Sequence, residues 1–188
     1  FRAGISLVFS FSFVLLLMPT WINIQAKLFP KGQPIRSDGP QTHYIKQGTP
    51  TFGGVLIIAS IIINTISWTS EFSNFNYILL FTLILFGLIG FYDDYQKVKF
   101  DKGISSKRKF FFQILFTVIL YYVIILNGYD LKNFYIPFFK DISLELGFLY
   151  FFIILFIIIG STNATNLTDG LDGLVSMPLI FVFLTFAI

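Results

Sequence analysis

The chain of 188 residues is 55% hydrophobic and only 12% charged, with a mean hydropathy of +0.79. A water-soluble domain carries roughly twice that charge fraction, so the composition is that of an integral membrane protein. Lack of cysteine excludes a disulfide framework and a thiolate metal site, and the pI near 9.1 reflects charge placement rather than a nucleic-acid partner.

Six apolar runs follow in chain order: Ala3 to Trp21, Phe52 to Trp68, Tyr77 to Tyr92, Phe110 to Leu126, Leu146 to Ser161 and Leu174 to Ile188. Each is about 15–19 residues, near the ~20 needed for a helix to cross the hydrocarbon. The predicted fold is an all-α integral membrane bundle of about six transmembrane helices, one transmembrane domain over residues 1–188. The first run has one basic residue, Arg2, and no small-residue cleavage site before Pro19 and Trp21, so it reads as a span rather than a signal peptide. Phe1 and Ile188 both lie inside apolar runs, which predicts a longer natural chain, incomplete here at both ends and lacking a C-terminal part.

Charge orients the spans. Lys27, Lys31, Arg36 and Lys46 fall in segment 22–51, and Lys97, Lys99, Lys102, Lys107, Arg108 and Lys109 in segment 93–109. If every run spans, those ten share one side, against Arg2, Lys132 and Lys140 on the other. The positive-inside rule makes the first side cytoplasmic and places the N-terminus outside. Residues 163–173 then also face the cytoplasm. Topogenic charge and attraction to anionic lipid account for most of these Lys and Arg without any chemistry. The longest outside loop, Asn127 to Glu145, opens on an Asn127-Gly128 turn and holds a short strand within Asn133 to Phe139.

Three polar segments carry the chemistry. In the first, Lys46-Gln47-Gly48-Thr49-Pro50-Thr51-Phe52-Gly53-Gly54, glycine and proline gather at the start of the second run. Thr51 reads as its N-cap, and free N–H groups beside a lysine form an anion site. The plain alternative is a loop-to-helix junction whose Gly53-Gly54 permits close packing. The second segment is Asp93-Asp94-Tyr95-Gln96-Lys97. Adjacent carboxylates beside apolar surface repel, unless a divalent or other cation lies between them and a phosphate. Magnesium uses one or two carboxylates with substrate phosphate oxygens in this way. One carboxylate could instead act as general base, or the pair could be a solvated helix end satisfied by Lys97 and Lys99.

The third segment, Gly160 to Gly173, sets Asn163, Asn166, Asp169 and Asp172 directly after the uncharged stretch Phe148 to Ile159. Ionisable groups at a span end cost several kcal/mol if drawn into hydrocarbon. Asn166, Asp169 and Asp172 share a slowly drifting helix face, although Gly170 and Gly173 weaken such a helix. The set suits hydrogen bonds to a base edge or sugar hydroxyls, or metal ligation. The plain alternative is a helix entry capped by Thr168 or Asp169. His43, the only histidine, reads as a surface residue, and no serine motif accompanies it. Together the segments suit phosphoryl transfer between a soluble nucleotide and a lipid phosphate, chemistry that depends on charge neutralisation and in-line positioning.

These residues resemble a known family. The segment from Lys46 to Gly54, then Gly90-Phe91-Tyr92-Asp93-Asp94-Tyr95-Gln96-Lys97, then Asn163 to Leu174 are similar, in order, to the phospho-N-acetylmuramoyl-pentapeptide-transferases of bacteria. Arg36-Ser37-Asp38-Gly39-Pro40, Lys102-Gly103 and Pro137-Phe138-Phe139-Lys140 extend the likeness over almost the whole chain. The third motif belongs to the wider polyprenyl-phosphate sugar-1-phosphate transferases, and the first two narrow it to the peptidoglycan branch.

The resemblance implies a multi-pass inner-membrane enzyme that moves phospho-N-acetylmuramoyl-pentapeptide from UDP-N-acetylmuramoyl-pentapeptide to undecaprenyl phosphate, giving lipid I and UMP, with Mg2+ required. Its partners would be those two substrates and membrane lipid, with no nucleic acid; a homodimer is compatible with it. By position, Asp93 and Asp94 match an aspartate pair that acts on the lipid phosphate or in metal-assisted catalysis. Asn166, Asp169 and Asp172 match the uridine pocket, Asn163 is a further substrate-binding candidate, and Lys46, Thr51, Lys97 and Lys109 match positions around the nucleotide and phosphates. Phe52 stands where the family usually has methionine. Family members continue for about as long again, with a Met-Gly-Asp segment supplying a principal magnesium ligand and a histidine-rich loop, so these 188 residues alone are expected to be inactive. Competing readings are a sister N-acetylglucosamine-1-phosphate transferase, disfavoured by Thr49-Pro50-Thr51 and Leu167-Thr168; an ion pathway, disfavoured because the carboxylates lie at span ends; and a truncated, non-catalytic membrane protein.

Overall fold

The computed structural model describes residues 1–30, 32, 48–136, 139, 142–169 and 173–187. Among them the elements run α1 (Arg2–Leu28), α2 (Gly53–Trp68), α3 (Asn74–Phe100), α4 (Ser106–Leu126), β1 (Asn133–Tyr135), β2 (Ser143–Glu145), α5 (Leu149–Thr168) and α6 (Ser176–Ala187). Every apolar run is a helix, as expected of an all-α polytopic membrane protein. Four of them, α1, α3, α4 and α5, are long and apolar enough to cross a membrane, and α2 and α6 are apolar but shorter.

Helices α1, α3 and α5 outlast the apolar runs that seed them. α1 continues through Gln25 and Lys27, and α3 through Gln96, Lys97 and Lys99, straight-chain residues that lose little freedom in a helix. Local chemistry then stops them. α3 ends at Asp101, which takes the left-handed conformation (φ 58°). α4 ends at Gly128 (φ 80°), where the Gly128 and Tyr129 amides bond back to the Ile125 and Ile124 carbonyls at 2.9 and 3.3 Å. That double bond is the Schellman stop, with glycine where a Cβ would be strained, and it fulfils the turn read at Asn127-Gly128. The strand expected within 133–139 spans Asn133–Tyr135 and pairs antiparallel with Ser143–Glu145, Phe134 opposite Leu144.

Two compact units divide the chain, residues 1–116 and 117–188, the boundary falling inside α4. In the first unit α1 packs on α2 and α2 on α3. The contacts are polar where a soluble protein would be greasy. Asn64 of α2 accepts from Ser6 Oγ at 3.1 Å and donates to Ser10 Oγ at 2.6 Å and to the Ser60 carbonyl at 2.9 Å. Such hydrogen bonds are the glue between helices in lipid, where burying more hydrocarbon gains little. Ser60, Asn64, Gln113 and Thr117 are all buried, while Phe11, Leu16, Ile66, Tyr77 and Phe156 are open to the surroundings. Lipid solvates such side chains, and water would not. At the other end of this seam Phe52 is buried, its ring 5.3 Å from that of Phe29 and 5.2 Å from that of Phe91. Its amide donates to Gln25 Oε1 and its carbonyl accepts from Trp21 Nε1.

In the second unit Tyr121 of α4 meets Phe151 of α5 edge-on at 5.0 Å. The hairpin joins α5 through Phe134 and Tyr150, and the Leu146 amide bonds to the Lys132 carbonyl at 2.8 Å.

Candidate functional site

Asp93 and Asp94 do not mark the end of a helix. They lie within α3, two turns before its stop, with Lys97 one turn further on. Spacings of three and four residues place side chains on one helix face, and Lys97 Nζ sits 2.9 Å from Asp93 Oδ2 and 2.9 Å from Asp94 Oδ1. It is the cation between the two carboxylates that their adjacency demands. Lys99, the other residue expected to satisfy them, turns away instead to the Tyr95 hydroxyl at 3.0 Å.

Asp93 is the more enclosed of the pair, its side chain 10% exposed against 28% for Asp94. Its Oδ1 accepts the Ile104 backbone N–H at 2.8 Å, and Lys109 Nζ approaches its Oδ2 at 3.8 Å. The connection 101–105 thus folds back over the end of α3. Lys109 stands in the first turn of α4, where a cation opposes the helix dipole, and Asp93 is the compensating charge. Both oxygens of Asp93 are held by donors, whereas the hydrogen bonds to Asp94 reach Oδ1 alone among the described residues.

This arrangement bears on magnesium. No group of three or more His, Cys, Asp or Glu gathers as a metal cage among the described residues. Asp94 fits as a single carboxylate ligand through Oδ2, completed by phosphate oxygens and water as magnesium prefers. Asp93 would first have to release Lys97.

The remaining expected residues lie elsewhere. Thr51 precedes α2, but Phe52 holds the N-cap position and no side chain caps the helix. The buried Phe52, fixed by its rings and both backbone bonds, sets where the helix starts, so packing overrides the capping preference of threonine. Asn163 and Asn166 lie inside α5, which runs seven residues past the expected end at Ser161. Asp169 is the C-cap of that helix, its amide bonded to the Thr165 carbonyl, and Thr168 Oγ1 donates to the Ala164 carbonyl at 2.8 Å. Neither caps a following helix N-terminus, correcting that expectation. Asn163 Nδ2 donates to the Ile159 carbonyl, while Asn166 and Asp169 are exposed. Lys46 and Asp172 fall outside the described residues. So the aspartate pair, Lys97 and Lys109 form one cluster in the first unit, and the amide and carboxylate row belongs to the second. Residue spacing alone missed the Ile104 amide, because a backbone donor carries no mark in the sequence.

A hollow of about 780 Å³ between α1 and α2, lined by Phe11, Leu15, Met18 and Ile57, contains none of these residues. Its lining is that of a lipid-facing groove.

Known proteins carry the likeness across the chain. It is 42% identical to the phospho-N-acetylmuramoyl-pentapeptide-transferase of Rickettsia prowazekii (strain Madrid E) and 41% identical to that of Rickettsia felis (strain ATCC VR-1525 / URRWXCal2). Each match covers 100% of this chain and 53% of the relative, so the chain spans about half the length of the curated relatives it matches. The model of glycosyl transferase family 4 matches residues 76–188, a stretch that includes both the aspartate pair and the row on α5. That is more than half of the chain, and the protein belongs to glycosyl transferase family 4.

Proposed function

We propose that the full-length protein transfers phospho-N-acetylmuramoyl-pentapeptide from its UDP-linked precursor to undecaprenyl phosphate, in peptidoglycan synthesis. The carrying observation is the identity of about 40%, over the entire chain, to proteins that bear this name. The charge cluster on α3 supports it, because it sets carboxylates and ammonium groups together where an apolar helix turns polar. The reaction is assigned to the cytoplasmic face of the bacterial inner membrane, with the N-terminus outside, from the distribution of Lys and Arg.

In this reading an oxygen of the lipid phosphate forms a bond to the sugar-bearing phosphorus. The pyrophosphate P–O bond breaks, UMP leaves with its electron pair, and lipid I remains in the membrane. Asp94 Oδ2 faces the reacting phosphates, directly or as general base. Lys97 and Lys109 hold Asp93 and add positive potential. Thr51 and Lys46 are assigned to the phosphates, Asn166, Asp169 and Asp172 to hydrogen bonds with the uridine, and Asn163 to substrate binding. Asp94 is the residue that would hold magnesium, which would supply charge neutralisation when bound.

The test is transfer by the purified full-length protein, given both lipid acceptor and magnesium. UDP-N-acetylmuramoyl-pentapeptide is expected to yield lipid I and UMP in equal amounts, and UDP-N-acetylglucosamine to yield no lipid product. Asp94→Asn is expected to lower kcat by about 10²–10⁴, the range for a lost acid–base or charge-positioning group. Product from UDP-N-acetylglucosamine alone, or from neither donor with folded protein, would overturn the reading.

A further inference from the structure

Gly103 lies in the connection between α3 and α4, beside Asp93 and Lys97. A Cβ at this position would stand 2.7 Å from Asp93 Oδ1, and 3.2 and 3.3 Å from Lys97 Cε and Cγ. Its φ is not in the left-handed region, so no left-handed backbone demands glycine here. The need for glycine here is therefore one of space, and the space is that of Asp93.

Asp93 cannot yield cheaply. Its Oδ1 is held by the Ile104 amide at 2.8 Å and its Oδ2 by Lys97 at 2.9 Å. An added methyl group must either turn Asp93 or lift the connection. Both breaks separate Oδ1 from the Ile104 amide, and turning Asp93 also releases Lys97, which holds Asp94 Oδ1 at 2.9 Å. A substitution outside the carboxylate pair would thus reach Asp94 through Asp93 and Lys97.

We infer that Gly103 is a positioning residue: it lets the 101–105 connection close on Asp93, which with Lys97 forms a fixed support that aims Asp94 at the phosphates. The contact half of this inference stands on geometry alone, and its consequence for turnover rests on the transferase reading. It divides the pair, Asp93 as support and Asp94 as the reacting carboxylate.

The experiment uses the full-length protein in detergent, with two readouts. In the first, Gly103→Ala is expected to lower kcat roughly tenfold or more, since an ångström of misplacement can cost that much, with KM for the nucleotide substrate within about twofold. In the second, the melting temperature is followed through a double-mutant cycle. Gly103→Ala lowers it by several degrees in the native background and by distinctly less beside Asp93→Ala, where the missing carboxylate removes the tightest contact and only the flexible Lys97 stem has to shift. Gly4→Ala, on α1 with nothing within 4 Å of the new Cβ, lowers neither readout, since alanine is the better helix former. Equal falls in melting temperature in both backgrounds, or a native kcat for Gly103→Ala, would overturn the inference. If the unsubstituted protein makes no lipid product, the transferase reading fails, and the melting cycle still decides the contact.

Discussion

Replacing Lys97 by Met tests whether one ammonium group holds the carboxylate pair. Met keeps the aliphatic stem and removes the charge, so packing is largely preserved. Two carboxylates then face each other, one of them only 10% exposed. An ion pair at about 4 Å is worth roughly 4 kcal/mol at an effective dielectric near 20, and removing one partner of a buried pair costs about 3–5 kcal/mol. Neither figure applies in full. Lys97 is 25% exposed and Asp94 28% exposed, and an exposed pair is worth under about 1 kcal/mol. Lys109, 3.8 Å from Asp93 Oδ2, also compensates part of the orphaned charge. The expected loss is about 2 kcal/mol. Thermal unfolding of the full-length protein in detergent, followed by tryptophan fluorescence, measures it. The decisive arm is Asp93→Asn in the same chain. A neutral amide needs no counter-charge, and its oxygen can still accept from Ile104. Asp93→Asn with Lys97→Met should therefore melt higher than Lys97→Met alone. If the double variant melts lower, by the sum of the two single losses, the charges are not coupled and the reasoning fails.

Phe52→Ala removes the ring between Phe29 and Phe91 and is expected to cost about 3–5 kcal/mol, read as a lowered melting temperature; a fall of less than a degree would show that Phe52 does not anchor the start of α2. Asn64→Leu cuts the links from α2 to Ser6 and Ser10 and should cost about 1 kcal/mol, the scale of hydrogen bonds between membrane helices, and Ser6→Ala added to it should cost almost nothing further. Gly128→Ala forces a Cβ onto a φ of 80° and should cost about 1 kcal/mol, measured as faster proteolysis at the end of α4.

The helices were legible because hydrocarbon is a strict solvent. Every backbone N–H and C=O within it must be paired inside the segment, so a long uncharged run has one solution; all six runs hold helices, four of them long enough to cross a membrane. Their ends were less legible. The polar residues after Tyr92 and Ser161 read as boundaries, yet α3 runs on to Phe100 and α5 to Thr168. Leaving hydrocarbon removes the reason for a helix to be apolar without removing its reason to be a helix. The stops that do end helices, Asp101 and Gly128, are single residues in left-handed geometry, and only Gly128 stood within a turn signal that could be read in advance.

The site was half legible for a related reason. Adjacent aspartates in an apolar context require a compensating cation, and the requirement is visible in composition alone. Which lysine meets it depends on helix continuity. Because α3 continues, Lys97 falls on the face of both carboxylates, at three and four residues' distance, and Lys99 falls on the face of Tyr95. Had α3 ended at Asp94, neither assignment would follow. The same continuity leaves the Asp93 side chain only 10% exposed, and the chain itself returns to it through the Ile104 amide. That return needs close approach, and close approach needs Gly103. A boundary misread by seven residues therefore hides more than a helix end: it hides why a lysine, a backbone amide and a glycine all answer to one carboxylate.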